Sequence, residues 1–125
     1  MRQAVIVSGS RTPVGNFGGV FKDISAADLG AISIRAAIDQ IELQPEFIDE
    51  VIIGNALQAT QSGYAARLAS LRAGIPEEIP TISINRQRSS GLEAINFAAQ
   101  LILTGEADIV IAGGAENMSL SLIHI

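Results

Sequence analysis

Pro80-Thr81-Ile82-Ser83-Ile84-Asn85-Arg86-Gln87-Arg88-Ser89-Ser90-Gly91, with the apolar run from Leu92 to Thr104 behind it, decides how this chain folds. Thr81 to Ile84 is short, apolar and rich in β-branched residues, which predicts a strand. From Ser90 to about Thr104 the polar residues are Glu93, Asn96, Gln100 and Thr104, spaced by three, four and four. That spacing predicts a helix with one narrow polar stripe. Leu92, Ala94, Ile95, Phe97, Ala98, Ala99, Leu101, Ile102 and Leu103 cover the rest, so the helix is expected to be buried on most sides, as in the middle layer of a larger protein. An ordinary core helix with a generous apolar face is the plainer alternative. The turn between strand and helix sets residue 88 at the mouth of the helix, where unpaired N–H groups and the helix dipole favour a developing anion. An enzyme places a thiolate at such a turn, and this chain has Arg88 there.

Outward from that turn, short Val- and Ile-rich runs recur without polar alternation, as expected of strands buried on both faces. They predict strands near residues 4 to 8, 50 to 54, 81 to 85 and 108 to 113. Helical patterns separate them. Ser25 followed by Asp28 reads as a cap for a helix over about 26 to 42, with Ala27, Ala31, Ile34, Ala37, Ile38 and Ile41 on one face and Pro45 as the stop. A second helix is expected over 64 to 73, ended by Gly74 with Pro76 just beyond. The alternation predicts an α/β fold with a mostly parallel sheet. No repeat at a fixed period and no low-complexity tract interrupts it, and residues 9 to 19 form the clearest loop.

At 125 residues the chain is one domain's worth, 48% apolar and long enough for a core. Thirteen acidic residues against eight basic ones give a formal charge of −5, which argues against a nucleic-acid surface and a polybasic membrane patch. There is no cysteine, so a disulfide framework, a thiolate metal site and a thiol nucleophile are all excluded within this chain. The apolar run at Ala4-Val5-Ile6-Val7 is too short for a signal peptide, and Leu101 to Ala115 is broken by Thr104, Gly105, Glu106 and Asp108, short of the roughly 18 apolar residues a spanning helix needs. No membrane span and a cytoplasmic location are the expectations.

Five segments carry a family resemblance, in order along nearly the whole chain. They are Arg11-Thr12-Pro13-Val14-Gly15 with Phe17-Gly18-Gly19; Asp49-Glu50-Val51-Ile52-Ile53-Gly54-Asn55; Gly63 and Ala66-Arg67 with Gly74-Ile75-Pro76; the turn Asn85 to Gly91; and Ala107 to Ser119, with its Gly113-Gly114-Ala115-Glu116-Asn117-Met118-Ser119 loop. Together they resemble the N-terminal part of the thiolases, the acetyl-CoA acyltransferases. The ketoacyl synthases share the fold, but the Arg-Thr-Pro opening and the Asn-Arg-Gln-x-Ser-Ser-Gly turn favour thiolases. Residues 9 to 19 follow an expected strand yet hold neither the Walker pattern nor a Gly-x-Gly-x-x-Gly fingerprint, so nucleotide binding is the weaker rival. The resemblance implies a thiolase-like N-terminal half over residues 1 to 119, with a mostly parallel sheet and a buried central helix, and a tail over 120 to 125 that departs from the family.

It also implies acyl transfer between acetyl-CoA or 3-ketoacyl-CoA and CoA, with the coenzyme A thioester as substrate, no bound cofactor, and homo-oligomers in the parent family. Position 88 is where the family's nucleophilic cysteine stands. A cysteine at a helix N-terminus ionises near neutral pH. Arginine cannot replace it, because its guanidinium stays protonated and offers no nucleophilic lone pair. Arg88 is therefore either a disabling substitution or a cation holding an anion such as a CoA phosphate. Ser89 and Ser90 read as caps rather than substitute nucleophiles, since serine needs a base and the single histidine, His124, lies in the terminal Leu122-Ile123-His124-Ile125. The family's activating histidine and second cysteine come from its C-terminal half, so this chain alone is expected to be inactive. A non-catalytic acyl-CoA or lipid-binding module and an assembly fragment are the alternatives.

Overall fold

The computed structural model describes residues 2–56 and 64–120. Helix α1 (Ala26–Gln40) leads through a short 3-10 turn at Pro45–Phe47 to strand β1 (Glu50–Gly54), followed by α2 (Ala65–Arg72), β2 (Thr81–Ile84), α3 (Ser90–Leu103) and β3 (Val110–Gly114). The three strands form one parallel sheet in the order β2-β1-β3. Ile52 sits opposite Ile82 on one side and Ala112 on the other.

Central β1 explains the apolar runs. Val51 and Ile53 pack with Ala31, Ile34 and Ile38 of α1 and Ala66 and Ala69 of α2, whereas Ile52 points the other way, to Ala94 and Ala98 of α3. The result is helices α1 and α2 on one face and α3 on the other. A strand covered on both faces has no solvent side, so alternation vanishes from its sequence.

The helix boundaries follow the expected punctuation. Ser25 accepts the N–H of Asp28 at 3.0 Å and caps α1. The helix stops two residues short of the expected end, because Glu42 turns left-handed at φ 53° and the N–H groups of both Ile41 and Leu43 fall back on the Ile38 carbonyl. Gly74, at φ 88°, ends α2 as its missing side chain permits.

Two expectations change. Residues 4 to 8 form no strand, and Val5, Ile6 and Val7 are exposed. The segment is held by side chains instead. Arg2 reaches the Ile102 carbonyl and Asp108, and Ser8 and Ser10 donate to the carbonyls of Ala37 and Ser33 on α1. An apolar run becomes a strand only where a neighbour supplies a ladder, and none does among the described residues. Helix α3 buries Ser90, Ala94 and Ala98 but leaves Leu92, Ile95 and Leu103 exposed, at 63%, 41% and 52%. Among the described residues it is covered on the sheet side only, and the apolar remainder is exposed.

Candidate functional site

The ends of β1 and β3 and the start of α3 meet at one point, and three glycines make the meeting possible. A Cβ on Gly54 would stand 2.6 Å from the Ser90 carbonyl oxygen, and one on Gly114 would stand 3.3 Å from the Cα of Gly91. Beside this point the turn from β2 to α3 is tied from within. Asn85 accepts the N–H of Gln87 at 3.1 Å and donates to the Ala56 carbonyl at 3.2 Å. Ser90 Oγ accepts the N–H of Arg86 and donates to the Gln87 carbonyl, both at 2.8 Å. Gln87 is held between these bonds in the left-handed region, at φ 54°. A non-glycine residue in that conformation is strained by about 1–2 kcal/mol, and such strain persists only where neighbours fix it.

The strained residue delivers Arg88 to a cleft of about 600 Å³, lined also by Gly91, Gly114, Ala115, Glu116 and Met118. Arg88 is exposed, lies in the 3-10 turn Gln87–Ser89 that runs into α3, and forms no ion pair among the described residues. Its neighbour Arg86 does, with Glu93 at 2.7 Å. The expected strand-turn-helix is thus present, and it brings position 88 to a cleft mouth at the N-terminus of a 14-residue helix. The serines differ from expectation. Ser89 makes no capping bond with its side chain, and Ser90 clasps the turn before the helix rather than an N–H of the helix itself. Ser90 Oγ, buried and bonded on both sides, is not placed to attack anything. His124, Gly63 and the tail from 121 to 125 lie outside the described residues.

Pattern reading missed the loop after β3 as a wall of the site. Glu116 accepts the N–H of Ala56 and, at 3.4 Å, a proton of Asn55 Nδ2. Asn55, 1% exposed, also donates to the Ala115 carbonyl at 2.7 Å. The available signal was an acidic residue two positions past a Gly-Gly at a strand end. No cluster of three metal-binding side chains exists among the described residues.

The carboxyl groups with displaced titration lie at the other end of β1. Two N–H groups, of Asp108 and then Ile109, donate to Asp49 and hold its carboxyl below the ordinary range. Burial, and then the charge of Glu106, push the Glu50 carboxyl up. Asp49 ties β1 to the start of β3, and neither carboxyl lines the cleft.

Residues 4–124 match the family described as "Thiolase, N-terminal domain". A probable acetyl-CoA acyltransferase of Staphylococcus aureus strain NCTC 8325 is 51% identical over 121 residues, which are 97% of this chain and 31% of the relative. Its counterpart in the bovine strain RF122 is 50% identical over the same span. Among solved structures, human mitochondrial 3-ketoacyl-CoA thiolase, crystallised in complex with CoA, superposes with a TM-score of 0.91 at 42% identity, over 95% of this chain and 30% of that one. The chain spans about a third of the length of these relatives.

Proposed function

We propose, since this chain belongs to the thiolase family and matches its N-terminal domain, that the cleft in front of Arg88 is where the acyl group of a coenzyme A thioester meets the protein. The observation that carries this reading is the strained turn at Gln87, which aims residue 88 into a cleft at the N-terminus of α3. With a cysteine at 88, a thiolate would attack the thioester carbonyl, the CoA thiolate would leave, and the acyl group would pass from the protein sulfur to a second acceptor. Helix N–H groups and the dipole would favour the thiolate. Arg88 supplies no lone pair, and this chain contains no cysteine to stand in for it. The covalent step is therefore closed to it, and the chain alone is silent in acyl transfer. Pairing into homo-oligomers and a cytoplasmic location belong to the same reading. Among the described residues no helix is long and apolar enough to cross a membrane.

A second reading has one observation in its favour. Arg2, Arg35, Arg72 and Arg86 each pair with a carboxylate; Arg11, Arg67 and Arg88 pair with none among the described residues, and of these three Arg88 is the one that lines the cleft. In a non-catalytic binder that guanidinium would hold a phosphate of CoA.

Intact-protein mass spectrometry after mixing with acetyl-CoA tests both, on the parent chain and on Arg88→Cys, each alone and with a separately supplied thiolase C-terminal half. The expected result is an acetyl adduct on Arg88→Cys only. An adduct on the parent chain would overturn its silence, and none on either would overturn the assignment of the turn. Retention of the parent chain, but not of Arg88→Ala, on immobilised CoA would favour the binder.

A further inference from the structure

Residues 116 to 119 form a loop in which three side chains hold and one is displayed. Asn117, 9% exposed, donates from Nδ2 to the carbonyls of Phe21 at 2.9 Å, Lys22 at 3.2 Å and Ile24. Its Oδ1 accepts the N–H of Ser119 at 2.9 Å, and Ser119 Oγ accepts the N–H of Gly18 at 2.8 Å. Glu116 grips Ala56 and Asn55 on the other side. The loop is thereby fastened both to the segment before α1 and to the end of β1. Glu116 and Met118 both line the cleft; Glu116 is engaged by those bonds, whereas Met118, 54% exposed, presents an apolar side chain.

The rest of the cleft wall is glycine, alanine or polar, so Met118 is its one large apolar side chain among the described residues. A firmly bonded loop that presents a flexible apolar side chain to a cleft offers it something to cover. Only an amide serves at position 117 in this arrangement. A carboxylate would keep the bond to Ser119 but set its second oxygen against three carbonyl oxygens.

We propose that Asn117 is a positioning residue that fixes Met118 as the apolar surface on which the acyl tail packs, so that Met118 favours longer acyl groups over shorter ones. The proposal rests on the acyl-CoA reading above, and its test does not use CoA. In the Arg88→Cys background, methyl and hexyl methanethiosulfonate are compared: the thiolate attacks the sulfenyl sulfur, the methanesulfinate leaves, and a mixed disulfide forms. The hexyl-to-methyl rate ratio reads tail packing independently of thiol reactivity. It is expected to fall about fourfold for each methylene left uncovered in Met118→Ala, to be kept in Met118→Leu, and to fall in Asn117→Asp although Met118 is intact.

A ratio unchanged in Met118→Ala, which alters an exposed side chain and leaves the loop's bonds in place, overturns the role of Met118. A ratio unchanged in folded Asn117→Asp overturns the positioning role, as does failure of both Asn117→Asp and Asn117→Ala to fold, which would make Asn117 a general stabiliser. If the ratios behave as expected but acetyl-CoA leaves no adduct on Arg88→Cys, the tail surface stands and the acyl-CoA reading fails.

Discussion

Gly54 at the end of β1 and Ser90 at the start of α3 touch backbone to backbone: a Cβ on Gly54 would lie 2.6 Å from the Ser90 carbonyl oxygen and 2.7 Å from the next nitrogen, that of Gly91. Neither atom belongs to a side chain, so no rotamer makes room. Gly54→Ala must push the first turn of α3 off the sheet and carry position 88 with it. We expect a loss of about 1–3 kcal/mol in urea denaturation, and slower thiol modification when the change is added to Arg88→Cys. Gly114→Ala, whose Cβ would meet its nearest atoms at 3.3 Å, should cost less. Parent-like stability in Gly54→Ala would contradict this account of the contact.

Ser90 Oγ closes the turn by accepting from Arg86 and donating to Gln87. Ser90→Ala removes both bonds at a buried position and leaves an N–H without its partner, for an expected loss of about 1–3 kcal/mol. Gln87→Gly should act in the opposite direction. It relieves a left-handed conformation at the cost of a more disordered unfolded chain, for a net gain of up to about 1 kcal/mol. Chemical denaturation of the two variants side by side checks the signs, and a stabilising Ser90→Ala would show that the turn does not depend on its clasp.

Val51 to Ile53 was legible as a strand because burial on both faces leaves a continuous apolar run, and the half-buried edge strands Thr81 to Ile84 and Val110 to Ala112 were legible from their β-branched residues. Ser25, Gly74 and Pro76 marked helix ends through local chemistry that needs no knowledge of the rest of the fold. Ala4 to Val7 carries the same composition and forms no strand, since composition records a preference and a ladder requires a partner. The site divides in the same way. Position 88 was readable because strand, turn and helix are contiguous, whereas Glu116 and Asn117 act on residues 60 to 96 positions away. No local pattern announces a contact of that range. The left-handed backbone of Gln87 was hidden for a related reason, because its neighbours impose it against the residue's own preference.

The two displaced carboxyl groups make opposite predictions with pH. Asp49 titrates below its ordinary range when folded, so its ionised form stabilises the fold at neutral pH and that contribution is lost as pH falls through the lowered value. Glu50 titrates above its ordinary range, so its contribution is present in acid and lost as pH rises through the raised value. Asp49→Asn should therefore lower the thermal midpoint at neutral pH and Glu50→Gln should raise it, with both differences shrinking in acid. The shifts should be small, since solvent screens carboxyl groups this accessible. Thermal melts at several pH values decide it, and a midpoint gap for Glu50→Gln that widened in acid would reverse the sign argued here.

Leu92, Ile95 and Leu103 follow one another at spacings of three and eight along α3, on the side away from Ala94 and Ala98. A helix that buries one face on the sheet and shows large apolar side chains on the other gives separate molecules a surface on which to meet. The chain is expected to self-associate with rising concentration in sedimentation velocity. Leu92→Glu combined with Leu103→Lys should suppress this while shifting stability by no more than about 0.5 kcal/mol, as for other surface changes. The charges are chosen to suit the helix dipole, acidic near its start and basic at its end. Association that persists in the double variant would place the adhesive surface elsewhere, with the exposed Val5, Ile6 and Val7 as the next residues to change.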